Sequence, residues 1–270
     1  REENSGYYAN QLYSHLSEMK KHGGITTLSF DVFDTLLLRN TKHELYRYYE
    51  ICERFKQLID LHLKTDIDID DIYISRLTAF KACYRSVTPK CGVREGRLES
   101  VLVLMMKILN LAPDSIEEIL PLLIEAEVEY ETENLAVNPV LNCLFHNDMA
   151  DDLDIIFVSD MYLPVSLIRK LVYHFYPNLS LKASYSSADL SITKSSGLLY
   201  EFVLKDLGLN RKEILHVGDN LKSDVEMARR RGISALHLPI PDDKLAEKKI
   251  KKKQFERWLA ERGFELELFW

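Results

Sequence analysis

The sequence is short of cysteine, of positive charge and of long apolar runs. Its four cysteines, Cys52, Cys83, Cys91 and Cys143, include no C-x-x-C pair. None has a histidine nearby at zinc-ligand spacing, which argues against a thiolate zinc site. Free thiols in a reducing compartment are the expected state, and the cytoplasm is the expected location. The formal net charge is −7, whereas nucleic-acid binders usually present a basic face. No apolar run approaches the roughly 18 to 20 residues that a membrane helix needs. The opening residues, REENSGYYANQ, lack the charged-then-apolar build of a signal peptide. Internal repeats and low-complexity tracts are absent too. The remaining composition, 46% hydrophobic and 29% charged, is that of an ordinary soluble globular chain. At 270 residues there is room for one large domain, or for a core with an inserted subdomain. Both ends, REENSG and ELELFW, are compatible with cuts from a longer protein.

What is present centres on residues 25–39, ITTLSFDVFDTLLLR. After Gly23-Gly24, the run Ile25, Thr26, Thr27, Leu28 and Phe30 predicts a short buried strand. The strand ends at Asp31, and a second acid, Asp34, follows three residues later. An acid at the carboxyl end of a central strand stands where open α/β sheets place their ligands, although a helix cap would also use an aspartate.

Ahead of this stretch, Tyr8, Leu12, Leu16 and Met19 form one apolar stripe and predict a helix over 7–20. Residues 41–150 have little strand character, and at least four amphipathic segments are expected there. They are separated at Thr65-Asp66, Pro89 to Gly96, Ala112 to Asp114 and Asn138-Pro139. Ser115 with Glu118 matches a capping box. Beyond them, strands are expected at 154–159, 181–187, 213–218 and 234–238. Helices are expected at 163–175, opened by Pro164, at 196–207, closed by Gly208, and at 223–231, closed by Gly232. That alternation indicates parallel βαβ units. Residues 242–262 form a charged terminal helix whose lysine run reads as a solvated face.

The expected strand ends deliver Asp31 and Asp34, Ser159 and Asp160, and Asp219 with Asp224, while Lys194 precedes a helix. In a parallel sheet these groups can converge on one crevice. Carboxylates from two strands suit Mg²⁺, which takes hard oxygen ligands. A lysine and a hydroxyl facing such a cation suit a dianionic phosphoryl group.

With FDVFDTL, IIFVSD, Lys194 in TKSSGLLY, and HVGDNLKSD in that order, the chain resembles the haloacid dehalogenase (HAD) superfamily over about residues 24–40 and 152–240. The phrases FDVFDTLLLR, VSDMYLP and HVGDN further resemble a bacterial branch associated with glycosyltransferases and polysaccharide biosynthesis. The resemblance implies an α/β fold, a HAD-like Rossmannoid parallel sheet flanked by helices, with an all-helical cap inserted at 41–150. The expected organisation is then an N-terminal helix at 1–23, a catalytic core at 24–40 and 151–240, and a C-terminal helix at 241–270. It implies Asp31 as a nucleophile forming an aspartyl-phosphate. It also implies Mg²⁺ as cofactor on Asp31, Asp219 and the backbone carbonyl of Phe33, supported by Asp224. Ser159, Asp160 and Lys194 are expected at the substrate, with Lys194 also holding Asp31.

One departure stands out. Aligning Thr35-Leu36 with the family's Thr-Leu puts Phe33 at the position of the usual acid and Asp34 at that of a glycine. General acid–base help typically contributes about 10²- to 10⁴-fold, so Asp34, a cap residue or the substrate must supply it. The expected function is a Mg²⁺-dependent phosphohydrolase of a small phosphorylated metabolite, such as a sugar phosphate or nucleotide-linked sugar. The alternatives are a weakly active or inactive HAD-fold binding module beside a glycosyltransferase domain or partner, and a dehalogenase-type hydrolase. Arg39, Arg94, Arg97, Glu127, Glu131 and Tyr162 are lesser candidates for substrate contact, since most charged positions of a helical insertion are structural or exposed.

Overall fold

Thr27–Phe30 forms β1, and all four of its residues are buried because it is paired on both sides. The computed structural model describes residues 2–21, 24–86, 95–146, 150 and 152–265, so Cys91 and Arg94 lie outside the described residues. The elements that follow β1 are β2 (Leu37–Arg39), α2 (Glu44–Leu63), α3 (Ile69–Ser86), α4 (Leu98–Ile108) and α5 (Pro113–Asn134). Next come β3 (Leu135–Val137), α6 (Pro139–His146), β4 (Asp154–Ser159), α7 (Val165–Phe175) and β5 (Leu181–Ser186). The chain continues with α8 (Ser187–Leu190), α9 (Leu198–Leu207), β6 (Ile214–Gly218), a π-helical turn (Leu221–Glu226) and α10 (Met227–Arg230). It closes with β7 (Ser234–His237) and α11 (Asp242–Glu261), and α1 (Glu2–Lys21) precedes them all.

The main sheet is parallel throughout, in the order β5-β4-β1-β6-β7. The three central strands, β1, β4 and β6, are buried along nearly their whole length, as strands covered on both faces are. On one side Ile156, Val158, Ile214 and Ala235 pack against Leu199, Tyr200 and Val203 of α9 and against Val225 and Ala228. The fold is thus a parallel five-stranded sheet flanked by helices, of the HAD-like Rossmann type. A second, two-stranded sheet pairs β2 with β3 antiparallel.

By internal contact the chain divides into two units. The sheet unit holds residues 1–39, 89–95 and 135–241; the helical unit holds 40–88, 96–134 and 242–270. Inside the helical unit, Arg76 of α3 donates to both carboxylate oxygens of Glu127 on α5, at 2.8 and 2.7 Å. Both side chains are fully buried, and the guanidinium lies over the Tyr48 and Phe55 rings. Arg47 and Glu131 form a second buried pair at 2.8 Å. Phe255 and Trp258 of α11 pack on Tyr46 and Tyr49 of α2.

Several local expectations are corrected. Ser115 is no N-cap: α5 begins at Pro113, and Ile116 N–H donates to the Ala112 carbonyl at 3.0 Å. Proline's fixed φ suits a first helical position, so the helix starts three residues earlier than a Ser115 cap would have it. Pro164 is the N-cap of α7 and not its first helical residue. The segment 41–150 carries the short strand β3, which its three residues are too few to announce by periodicity. The expected helix at 223–231 opens instead as the π-helical turn. Cys52, Cys83 and Cys143 are free thiols. Among the described residues, no helix is long and apolar enough to cross a membrane.

Candidate active site

The sheet order reverses at β1: the chain goes on to β4 and β5 on one side and to β6 and β7 on the other. Such a reversal opens a crevice at the carboxyl ends of the strands. Asp31 follows β1, Ser159 ends β4 and Asp219 follows β6, so three neighbouring strands deliver polar groups to one edge. The Asp31 amide donates to the Val217 carbonyl at 2.9 Å, extending the β1–β6 ladder to the acid itself.

Directly after Asp31 the chain makes a tight turn. Leu37 N–H donates to the Val32 carbonyl at 2.8 Å, and Asp34 N–H donates to the Leu37 carbonyl at 2.7 Å. Asp34 has φ +62°, a left-handed backbone that glycine adopts freely and aspartate tolerates better than most residues. That conformation accounts for Asp34 standing where the resemblance expects glycine. Its Oδ1 accepts the Arg39 amide at 3.1 Å. Phe33 is 7% exposed, and the Arg39 guanidinium lies 4.1 Å over its ring. Arg39 also reaches Met161 Sδ at 3.9 Å.

Lys194 is buried between two carboxylates, with Nζ 2.5 Å from Asp31 Oδ1 and 2.7 Å from Asp224 Oδ1. Its loop is held by Asp160, whose carboxylate accepts the Lys194 amide at 2.8 and 3.0 Å and the Ser195 amide at 3.4 Å. Asp160 therefore organises the lysine loop through the backbone. Ser159 is 1% exposed, and its buried hydroxyl has no hydrogen-bond partner among the described residues. Such a group normally costs about 1 to 3 kcal/mol, which a ligand bound there would offset.

Asp224 sits in the π-helical turn, a rare geometry that is frequent at functional sites. The turn is capped by Asn220, whose side-chain oxygen accepts from the Lys222 and Ser223 amides at 3.1 Å each. The Asn220 amide donates to Asp224 Oδ2 at 3.0 Å. Asp224 lies against Gly218: a Cβ there would fall 2.3 Å from Asp224 Oδ2. Asp219 is tied to the turn after β1, since its amide donates to Thr35 Oγ1 at 3.1 Å. The Asp219 carbonyl lies 2.8 Å from His237 Nε2.

One carboxylate oxygen each from Asp31, Asp219 and Asp224 lies within 4.8 Å of the others. Burial raises the Asp31 pKa to about 8, with Asp224 and Asp219 pushing the same way and Lys194 opposing. Burial, Asp224 and Asp34 raise Asp219 to about 6. Asp224 is held below the usual range: burial works against its charge, but Lys194 and His216 outweigh it. Lys194 stays protonated because Asp224 and Asp31 overcome the cost of its burial. These residues fit a divalent cation. Three hard oxygen donors converge, and burial together with the neighbouring carboxylates pushes two of them toward protonation, a cost that a divalent cation would relieve.

All the sequence-singled groups Asp31, Ser159, Asp160, Lys194, Asp219 and Asp224 thus fall on the sheet unit, and Asp31, Lys194, Asp219 and Asp224 meet. Sequence reasoning passed over Thr35, Asn220, Gly218 and His216, which act on the acids through backbone amides, close approach or a ring nitrogen. His216 left a signal of its own, an imidazole inside the apolar strand ILHVG, while the other three lie within the quoted motifs without a role read for them. Glu127 and Glu131 are spent on buried ion pairs within the helical unit.

Residues 191–238 match the family model described as HAD-hydrolase-like. No curated protein matches. Among solved structures, a 2-haloacid dehalogenase from Pseudomonas syringae pv. Tomato DC3000 aligns with 79% of this chain and 86% of its own, at 14% identity and a TM-score of 0.53. An L-2-haloacid dehalogenase aligns with 82% of this chain and 87% of its own, at 16% identity and a TM-score of 0.52. A HAD family enzyme from Bacteroides thetaiotaomicron, in complex with magnesium and inorganic phosphate, gives 15% identity over 79% and 94%, with a TM-score of 0.47. At such identities the two dehalogenases establish likeness of fold alone. The fold and the matched segment, which carries Lys194, Asp219 and Asp224, together support a place for this chain in the HAD-like hydrolase superfamily.

Proposed function

We propose that the protein is a Mg²⁺-dependent phosphohydrolase of a small phosphorylated metabolite, with Asp31 as nucleophile. The observation that carries this reading is the junction of Asp31, Lys194, Asp219 and Asp224, with the Ser159 hydroxyl, which has no partner among the described residues, at the end of the strand next to β1. Asp31 and Asp219 are the proposed direct ligands with the Phe33 carbonyl, and Asp224 is the supporting one. Bound Mg²⁺ would neutralise charge on the transferred phosphoryl group.

In this mechanism one oxygen of ionised Asp31 attacks phosphorus as the bond to the leaving-group oxygen breaks, giving an aspartyl-phosphate, and the leaving oxygen takes a proton from the acid–base group. Water then attacks phosphorus and releases inorganic phosphate and the free carboxylate. Lys194 holds Asp31 in place and offsets the charge of the phosphoryl oxygens, and Ser159 donates its hydroxyl to one of them. Asp160 is assigned to the substrate side through the Lys194 loop that it fixes. Asp34 is the proposed acid–base group, and the helical insertion at 41–150 is the proposed cap that selects substrate. A sugar phosphate or nucleotide-linked sugar is the proposed substrate class.

A second reading, a binding module with little turnover in a polysaccharide-synthesis protein, is favoured by Phe33 beneath Arg39. Phosphate release from a panel of sugar phosphates and nucleotides, with wild type, Asp31→Asn and Phe33→Asp, separates the two. Release that needs both Mg²⁺ and Asp31 is the expected result. A silent wild type with an active Phe33→Asp would favour the binding module. Halide release from a 2-haloacid that persists in EDTA would point instead to dehalogenase-type chemistry.

A further inference from the structure

Ser29 and His216 face each other in register across β1 and β6, and neither is exposed to solvent. A hydroxyl and an imidazole in the middle of a sheet cost stability unless each finds a partner. Ser29 Oγ lies 2.8 Å from His216 Nδ1, and the other ring nitrogen, Nε2, lies 3.5 Å from Asp224 Oδ1. An ionised carboxylate can only accept, so the nitrogen facing Asp224 carries the proton. In the neutral ring Nδ1 then accepts, and the Ser29 hydroxyl donates to it. Ser29 thereby selects the tautomer that presents N–H to Asp224. Tyr200 packs its ring against the imidazole at 5.2 Å, and its hydroxyl donates to the Ser223 carbonyl, next to Asp224.

Asp224 is gripped on every side. Its Oδ1 receives Lys194 and His216, its Oδ2 receives the Asn220 amide, and Gly218 leaves the room it fills. Lys194 alone would pull the carboxylate toward Asp31, whereas His216 pulls the same oxygen toward the sheet interior. We propose that the Ser29–His216 pair is a positioning device for the cation site, with His216 fixing the Asp224 carboxylate and Ser29 fixing His216. The inference rests on the Mg²⁺ reading above. Groups that orient metal ligands from behind are typically worth 10- to 100-fold in metal affinity.

The test is a Mg²⁺ titration of the full chain, followed by thermal midpoint, for wild type, His216→Leu, His216→Gln and Ser29→Ala. The midpoint in EDTA serves as control for the fold. His216→Leu is expected to weaken apparent Mg²⁺ affinity roughly 10- to 100-fold. His216→Gln, whose amide N–H can replace Nε2–H, should recover most of it, and Ser29→Ala should weaken it by a smaller factor. A merely structural histidine would lower the EDTA midpoint without separating the Leu and Gln variants in Mg²⁺ affinity. Leu and Gln variants that both bind Mg²⁺ as wild type does would overturn the positioning role while leaving the cation site standing. A wild type with no saturable Mg²⁺ response, or one whose response survives Asp219→Asn, would overturn both. Should His216→Leu fail to fold, Ser29→Ala decides, and unchanged Mg²⁺ affinity in that variant sinks the proposal.

Discussion

Gly218 shows how a residue without a side chain can shape an acidic site. It ends β6, and the Asp224 carboxylate fills the space a Cβ would occupy. The crowded atoms include the Asp224 Cβ at 2.5 Å, so the aspartate cannot simply swing its tip away. Gly218→Ala is expected to displace Asp224 and to weaken the Mg²⁺ response roughly tenfold or more, with phosphate release falling in parallel. Calorimetric Mg²⁺ titration of Gly218→Ala checks this, and an unchanged dissociation constant would remove Gly218 from the account. The acids themselves were legible from sequence because they follow apolar strand runs at motif spacing. The groups that hold them were not, for a physical reason. Thr35 acts through a hydrogen bond that forms only when the turn after β1 meets the turn after β6, and Asn220 through local bonds that exist only once the π-helical turn has formed. Asp34 was legible in part: its alignment with a glycine is consistent with its φ of +62°.

Among the elements, the parallel strands were the most readable, since strands buried on both faces are written as unbroken β-branched and apolar runs. β3 and the π-helical turn were not. Three residues carry no period, and a π-helical turn has the same composition as the α-helix it opens. The helices α3 and α5 conceal a further feature that sequence alone does not reveal. Arg76 and Glu127 lie on the largely apolar buried faces of their helices and pair with each other at zero exposure. A buried pair of this kind stabilises little relative to an apolar substitute, but removing one partner strands a charge. Glu127→Ala is therefore expected to cost about 3 to 5 kcal/mol. The double variant Arg76→Met/Glu127→Met should cost far less than the sum of the single changes. Urea unfolding of the three variants measures both quantities, and a cost under about 1 kcal/mol for Glu127→Ala would mean that the remaining guanidinium reaches water.

For the whole molecule, the crowded acids link stability to pH and to the cation. Asp31, raised to about 8, and Asp219, raised to about 6, bind more protons in the folded than in the unfolded chain over the interval from their ordinary range up to those values. Stability from these two groups is therefore fully present below about pH 4 and is lost as pH rises through 6 and then 8. Each proton involved gives a slope of up to about 1.4 kcal/mol per pH unit. Asp224 works the other way, since its lowered pKa gives stability that is lost only in strong acid. Mg²⁺ competes with the protons on Asp31 and Asp219, so its stabilising effect should be small at pH 5.5 and grow steadily to pH 8.5. The measurement is the urea midpoint in EDTA and in saturating Mg²⁺ across that range. In EDTA the midpoint should carry a downward component with rising pH that Mg²⁺ removes. A Mg²⁺ effect of equal size at both ends of the range would mean that no proton leaves the site when the cation enters. Asp31 would then be ionised already, with Lys194 alone offsetting its charge.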